Sequence, residues 1–162
     1  MSHQISTQCI GEEKNSIFYL YPTKLSYLMN INSNHLFVYG TLMQGYANPF
    51  AEQLRRHATY EGFGSFSGAL YKVSWYPGAV YIAESDQRVY GEIYELSAYA
   101  DLLPELDEYE DIIEDEKLSL YLRRIVPVTL ENGSVLNCWT YLYNQTVADF
   151  EKIEHGDFRN YS

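Results

Sequence analysis

Leu122 to Leu130 (LRRIVPVTL) and Val135 to Tyr143 (VLNCWTYLY) are two runs rich in β-branched and aromatic residues, joined by Glu131-Asn132-Gly133-Ser134. Such side chains fit a pleated, half-buried surface, and Asn-Gly supplies the backbone that a tight hairpin requires. The two runs are therefore expected to pair antiparallel. Toward the N-terminus four more short runs carry the same signature: Leu36 to Tyr39, Gly68 to Val73, Ala79 to Ala83 and Val89 to Leu96. Gly, Asn and Pro punctuate them. Two helices are expected in between. Asn48-Pro49 reads as an N-cap with a first-turn proline, and Ala51, Leu54 and His57 follow at helical spacing. The second helix is read over roughly Leu103 to Ile113. Strands that outnumber helices without alternating with them predict an α+β fold, its sheet small and able to close on itself, rather than a doubly wound one.

The chain has 162 residues, 46% hydrophobic and 16% aromatic, enough for one domain with a real core and too apolar for intrinsic disorder. Residues 1–34 show no sustained period and read as an N-terminal extension to a domain over 35–162. Met29 is a candidate start of the functional chain. Lys and Arg total 11 against 22 Asp and Glu, and the net charge of −11 argues against nucleic acid or an anionic membrane as partner. No apolar run has the length of a membrane-spanning helix. Glu12 and Glu13 stand where a signal peptide would carry basic charge, so a cytoplasmic location is expected.

Several kinds of chemistry find no support. Cys9 and Cys138 make no disulfide framework, and Cys138 reads as a buried thiol in a strand. His3, His35, His57 and His155 are scattered without metal-ligand spacing, so no metal is expected. Gly62 to Gly68 (GFGSFSG) lacks the third glycine of a dinucleotide loop, the P-loop lysine and the serine of a hydrolase elbow. It reads as a turn entering a strand.

Eight acids crowd between Glu105 and Glu116. At about 100° per residue, Leu102, Leu103, Leu106, Tyr109 and Ile113 define an apolar stripe, and Glu110 falls on it, seven residues after Leu103 and four after Leu106. Asp107 lies at the margin. Pro104 fits only near the helix start or with a kink. An inward carboxylate must be paired, hydrogen-bonded or held protonated. Glu110 either meets Arg123 or Arg124 in an ion pair or is tuned for proton transfer; phase alone does not choose. A second feature is the strand end Phe37-Val38-Tyr39 followed by Gly40-Thr41-Leu42, where a glycine lets the chain turn and leaves N–H groups free for a carboxylate or oxyanion.

In order, the chain carries Val38-Tyr39-Gly40-Thr41-Leu42, Tyr76-Pro77-Gly78, Val89-Tyr90-Gly91-Glu92-Ile93-Tyr94, Leu106-Asp107-Glu108-Tyr109-Glu110, Tyr121-Leu122-Arg123 and Trp139-Thr140-Tyr141-Leu142-Tyr143. This succession resembles the gamma-glutamylcyclotransferase-like family, which includes the gamma-glutamylamine cyclotransferases, over about residues 36 to 161. The resemblance implies a small mixed β-barrel flanked by helices. It also implies a glutamyl-binding turn at Tyr39, Gly40, Thr41 and Leu42, and Glu110 as catalytic acid/base. The implied reaction is closure of a γ-glutamyl group to 5-oxoproline with release of an amine or amino acid, without a cofactor. The partner is then a small γ-glutamyl substrate, and neither leaving group nor oligomeric state is specified. Tyr121, Tyr141 and Tyr143 are candidates to orient substrate, and Arg123 reads as support for the fold. Ile112 to Ser119 is a longer and more acidic connection than the resemblance leads one to expect. Two competing readings are a non-catalytic small-molecule binding module of the same fold and an acidic protein-interaction domain using Glu114, Asp115 and Glu116.

Overall fold

The computed structural model describes residues 33–97 and 99–161, apart from the side chains of 99–101. The proposed start at Met29 lies outside the described residues. Seven strands and two α-helices follow in the order β1 (His35–Val38), α1 (Pro49–His57), β2 (Ala58–Lys72), β3 (Pro77–Tyr81), β4 (Arg88–Leu96), α2 (Tyr99–Tyr109), β5 (Tyr121–Leu130), β6 (Val135–Tyr143) and β7 (Glu151–Lys152), with a closing 3-10 turn at Phe158–Asn160.

Strands β2, β4, β1, β6 and β5 pair in that order, and β5 returns to β2 through Gly64↔Leu130 and Ser65↔Thr129, which closes a five-stranded barrel. Its only parallel pair among the described strands is β1 with β6 (Leu36↔Trp139, Phe37↔Thr140), so the barrel is mixed. Closure leaves the five barrel strands without the free edges that would otherwise template aggregation. The β5–β6 hairpin forms as expected, its loop held by Leu130 N–H to Ser134 O (2.9 Å) and Gly133 N–H to Leu130 O (3.0 Å). Strand β1 is apolar on both faces because both are covered: Leu36, Phe37 and Val38 are buried against Phe66, Ile93, Leu142 and the helices. No helix among the described residues is long and apolar enough to cross a membrane.

Two elements differ from expectation. The Gly62 to Gly68 stretch is no turn but the middle of a 15-residue strand, bulged between Tyr60 and Gly62. Its small residues answer to close packing where the barrel closes: a Cβ on Gly64 would lie 2.7 Å from the Val128 side chain and 2.9 Å from that of Ile93. Helix α2 starts at Tyr99, so Pro104 sits inside it on the exposed side, and it ends at Tyr109. Asp111 adopts the left-handed conformation (φ 54°). Asp111 N–H bonds Glu108 O (3.2 Å) and Ile112 N–H bonds Asp107 O (3.0 Å), the two bonds that close a helix with a left-handed residue. The chain leaves the helix there, so Ile113, placed on the apolar stripe by phase, is 50% exposed. Leu102, Leu103 and Leu106 are buried as phase requires.

Candidate functional site

A cavity of about 160 Å³ opens at the meeting point of the β1 end, the β2–β3 connection, the α2 end and the inner rings of β5 and β6. Phe37 through Leu42, Trp75 through Pro77, Tyr109 through Asp111, Leu120, Tyr121 and Tyr141 line it. The turn and Glu110, 68 positions apart from Leu42 to Glu110 and separated by several elements, thus face one space.

Glu110 continues the last turn of α2 through its N–H to Leu106 O (3.0 Å). That bond carries its helical phase one residue past the helix, and its carboxyl points into the cavity lining rather than into solvent. Neither arginine reaches it: Arg123 pairs with Asp107 (3.3 Å) and Arg124 with Glu116 (2.8 Å). Among the described residues the Glu110 carboxyl has no hydrogen-bond or ion-pair partner. Burial, then the charges of Asp111 and Asp107, push its pKa from 4.5 up to about 8. The group stays partly accessible through the cavity mouth, so it can exchange a proton with whatever occupies the cavity. Asp111→Asn removes the larger of the two charges while keeping a residue that tolerates the left-handed conformation. The Glu110 titration midpoint is expected to fall yet stay above the ordinary glutamate value, because burial remains. NMR of its side-chain carboxyl carbon across pH reads this.

The Tyr39–Leu42 turn is held from four sides. Met43 N–H bonds Gly40 O (3.0 Å), Asn48 Nδ2 bonds Thr41 O (2.6 Å), Thr41 Oγ1 and Tyr109 Oη lie 3.1 Å apart, and Gln44 N–H bonds Glu92 Oε2 (2.9 Å). The N–H groups of Thr41 and Leu42 have no acceptor among the described residues and are free for an anionic ligand group. Gly40 is needed here for proximity, since a Cβ would stand 2.9 Å from the Pro77 ring across the cavity floor.

The predicted tyrosines divide. Tyr39 donates its hydroxyl to Tyr141 O (2.6 Å) and accepts from Ala79 N–H (3.2 Å), bolting β1 to β3 and β6. Its ring, with its hydroxyl fully engaged, is what faces the cavity. Tyr121 donates to Pro77 O (2.6 Å) and Tyr141 to Asp107 Oδ1 (2.8 Å). Burial raises all three phenols far above their ordinary value, so they stay neutral. With their protons committed, Tyr121 and Tyr141 can only accept from a ligand, which suits an ammonium or amide N–H. Tyr143 does not line the cavity; it stands behind Tyr121, ring against ring at 5.4 Å.

Sequence reasoning assigned no role to Glu92, although a charge inside the alternating run of β4 is itself a signal. It is 3% exposed and accepts from Gln44 N–H and from Tyr94 Oη (2.8 Å), tying the turn to the barrel wall. Glu92→Ala leaves the Tyr94 hydroxyl unpaired in the interior and releases the N–H of the exposed Gln44, and is expected to cost about 1–3 kcal/mol, measured by urea unfolding. Asp107, the marginal position, was also unassigned. It receives Tyr141 and Arg123, and Arg123 in turn lies over the Trp139 ring at 4.9 Å, so the end of α2 is pinned to β5 and β6. Cys138 is fully buried in β6, where burial pushes its thiol up to about 12, consistent with a packing role. No group of three or more His, Cys, Asp or Glu among the described residues could hold a metal ion.

This architecture has known counterparts. An AIG2-like protein from Mus musculus is 28% identical over 72% of this chain and 81% of its own, with a TM-score of 0.57. YtfP from Escherichia coli is 28% identical over 78% of this chain and 97% of its own, with a TM-score of 0.53. PH0828 from Pyrococcus horikoshii, 22% identical over 80% of this chain and 92% of its own with a TM-score of 0.54, shares the fold. No curated protein matches the chain by sequence. Residues 36–160 match the family described as gamma-glutamyl cyclotransferase, AIG2-like, so most of the barrel and both halves of the cavity lie inside the match, and the chain belongs to that family.

Proposed function

We propose that the protein is a cofactor-independent cyclotransferase acting on a small γ-glutamyl compound, with Glu110 as general acid/base. The observation that carries this reading is a carboxyl without a cation partner, raised to about 8, sharing one cavity with a turn whose N–H groups are free.

The chemistry needs little else. The α-amine of the glutamyl group attacks its own γ-carbonyl carbon, a carbon–nitrogen bond closes the five-membered ring, and the bond to the leaving nitrogen breaks. No water is consumed. Glu110 takes the proton that the ammonium loses and returns one to the departing amine. A carboxylate raised to about 8 takes the proton of the α-ammonium at a penalty roughly 5 kcal/mol smaller than an ordinary glutamate would face. Tyr121 and Tyr141 accept from the substrate nitrogen, and the Thr41 and Leu42 N–H groups hold the α-carboxylate or the developing oxyanion. The tether supplies proximity, and a cavity of about 160 Å³ forces the chain of the glutamyl group to fold.

Incubation with γ-glutamyl-amino acids and γ-glutamyl-amines, followed by mass spectrometry, is expected to give 5-oxoproline with the wild-type protein. Calorimetric binding of these compounds with no product would instead support a binding module of the same fold.

A further inference from the structure

A cavity of about 160 Å³ is close in size to the engineered apolar cavity, about 150 Å³, that holds benzene. It encloses the glutamyl portion of a substrate and no more, so the leaving group must project through the mouth. The charges that meet it there are all of one sign. Glu110 and Asp111 are the charged residues of the lining, which contains no Lys, Arg or His. Arg123 and Arg124 are engaged by Asp107 and Glu116. Asp111 is exposed, and its carboxylate has no hydrogen-bond or ion-pair partner among the described residues. The connection that follows carries Glu114 and Asp115 against Lys117, with Glu116 paired to Arg124, and adds to the same field.

Trp75 also lines this cavity, and it is 70% exposed, its ring held edge-on to Tyr76 at 5.2 Å and 89°. An indole face attracts cations more strongly than any other side-chain ring. Resting on the cyclotransferase reading, we infer that the mouth selects γ-glutamyl amides whose amine carries a second, positively charged group. Asp111 and the Trp75–Tyr76 pair are the specificity-determining residues. A leaving group with a carboxylate meets repulsion from Asp111 and finds no cation in the lining.

The test uses the full chain and three substrates of matched length: γ-glutamyl-diaminobutane, γ-glutamyl-pentylamine and γ-glutamyl-aminobutyrate, ending in an ammonium, a methyl and a carboxylate. The expected order of kcat/KM for 5-oxoproline release is ammonium, methyl, carboxylate, the first exceeding the last by about 10-fold or more at low salt. Added salt narrows the ratio. Asp111→Asn and Trp75→Leu each reduce it, and the ratio is insensitive to any change in Glu110 titration because that is common to the three substrates. Equal rates, a preference for the carboxylate, or a ratio unchanged in both variants overturns the subsite and leaves the cyclotransferase reading standing. No 5-oxoproline from any of the three overturns that reading and the subsite with it.

Discussion

Glu110→Gln is expected to release 5-oxoproline about 10²–10⁴-fold more slowly than wild type, with the fold and substrate binding retained. The amide occupies the same volume in the same cavity and presents hydrogen-bonding groups, but it cannot take up the proton of the ammonium. The loss therefore falls on kcat. The wild-type profile of kcat/KM against pH should rise along an acid limb near 8, where burial and the charges of Asp111 and Asp107 place Glu110. In kcat the limb should lie lower, because a bound ammonium favours the carboxylate form. Equal turnover by the two proteins would remove Glu110 from the mechanism.

The second large effect concerns stability, and it runs opposite to activity. A carboxyl raised from 4.5 to about 8 on folding makes the folded chain bind more protons than the unfolded chain between those values. Stability from this group is complete below about pH 4.5, declines as pH rises through the window and is lost above about pH 8. Glu110→Gln has no charge to form. Denaturant unfolding should find the two proteins similar near pH 4, and the variant more stable by on the order of 2–4 kcal/mol near pH 9. That range stands below the full conversion of the shift because the cavity mouth admits water. A wild-type curve parallel to that of the variant would mean that Glu110 ionises as freely folded as unfolded. A carboxyl kept without a cation at such a penalty fits a site selected for chemistry over stability.

How far these residues were legible in the sequence follows the range of the interactions that place them. The β5–β6 hairpin was readable because Asn132-Gly133 and the flanking β-branched runs are local signals, and the apolar face of α2 was readable because helical phase is local too. Glu110 was marked by that phase even though the helix ends one residue earlier, since its N–H still reaches Leu106 O. The Gly62 to Gly68 stretch misled for the converse reason. Glycines and serines normally signal a turn, but here Gly64 makes room for Val128 and Ile93, which are remote in the chain.

The choice between an ion pair and proton transfer at Glu110 was likewise beyond sequence, because it depended on which acids Arg123 and Arg124 would meet across the barrel. The exposed Trp75 at the mouth and the buried Glu92 under the turn belong to the same class. Local periodicity and motif order determined the elements, the fold class and the acid to watch, because each depends on neighbours within a few residues. Barrel closure decided the rest: it brought the turn after β1 to the end of α2 and diverted both arginines. It also left one carboxyl in a space too dry to favour its charge.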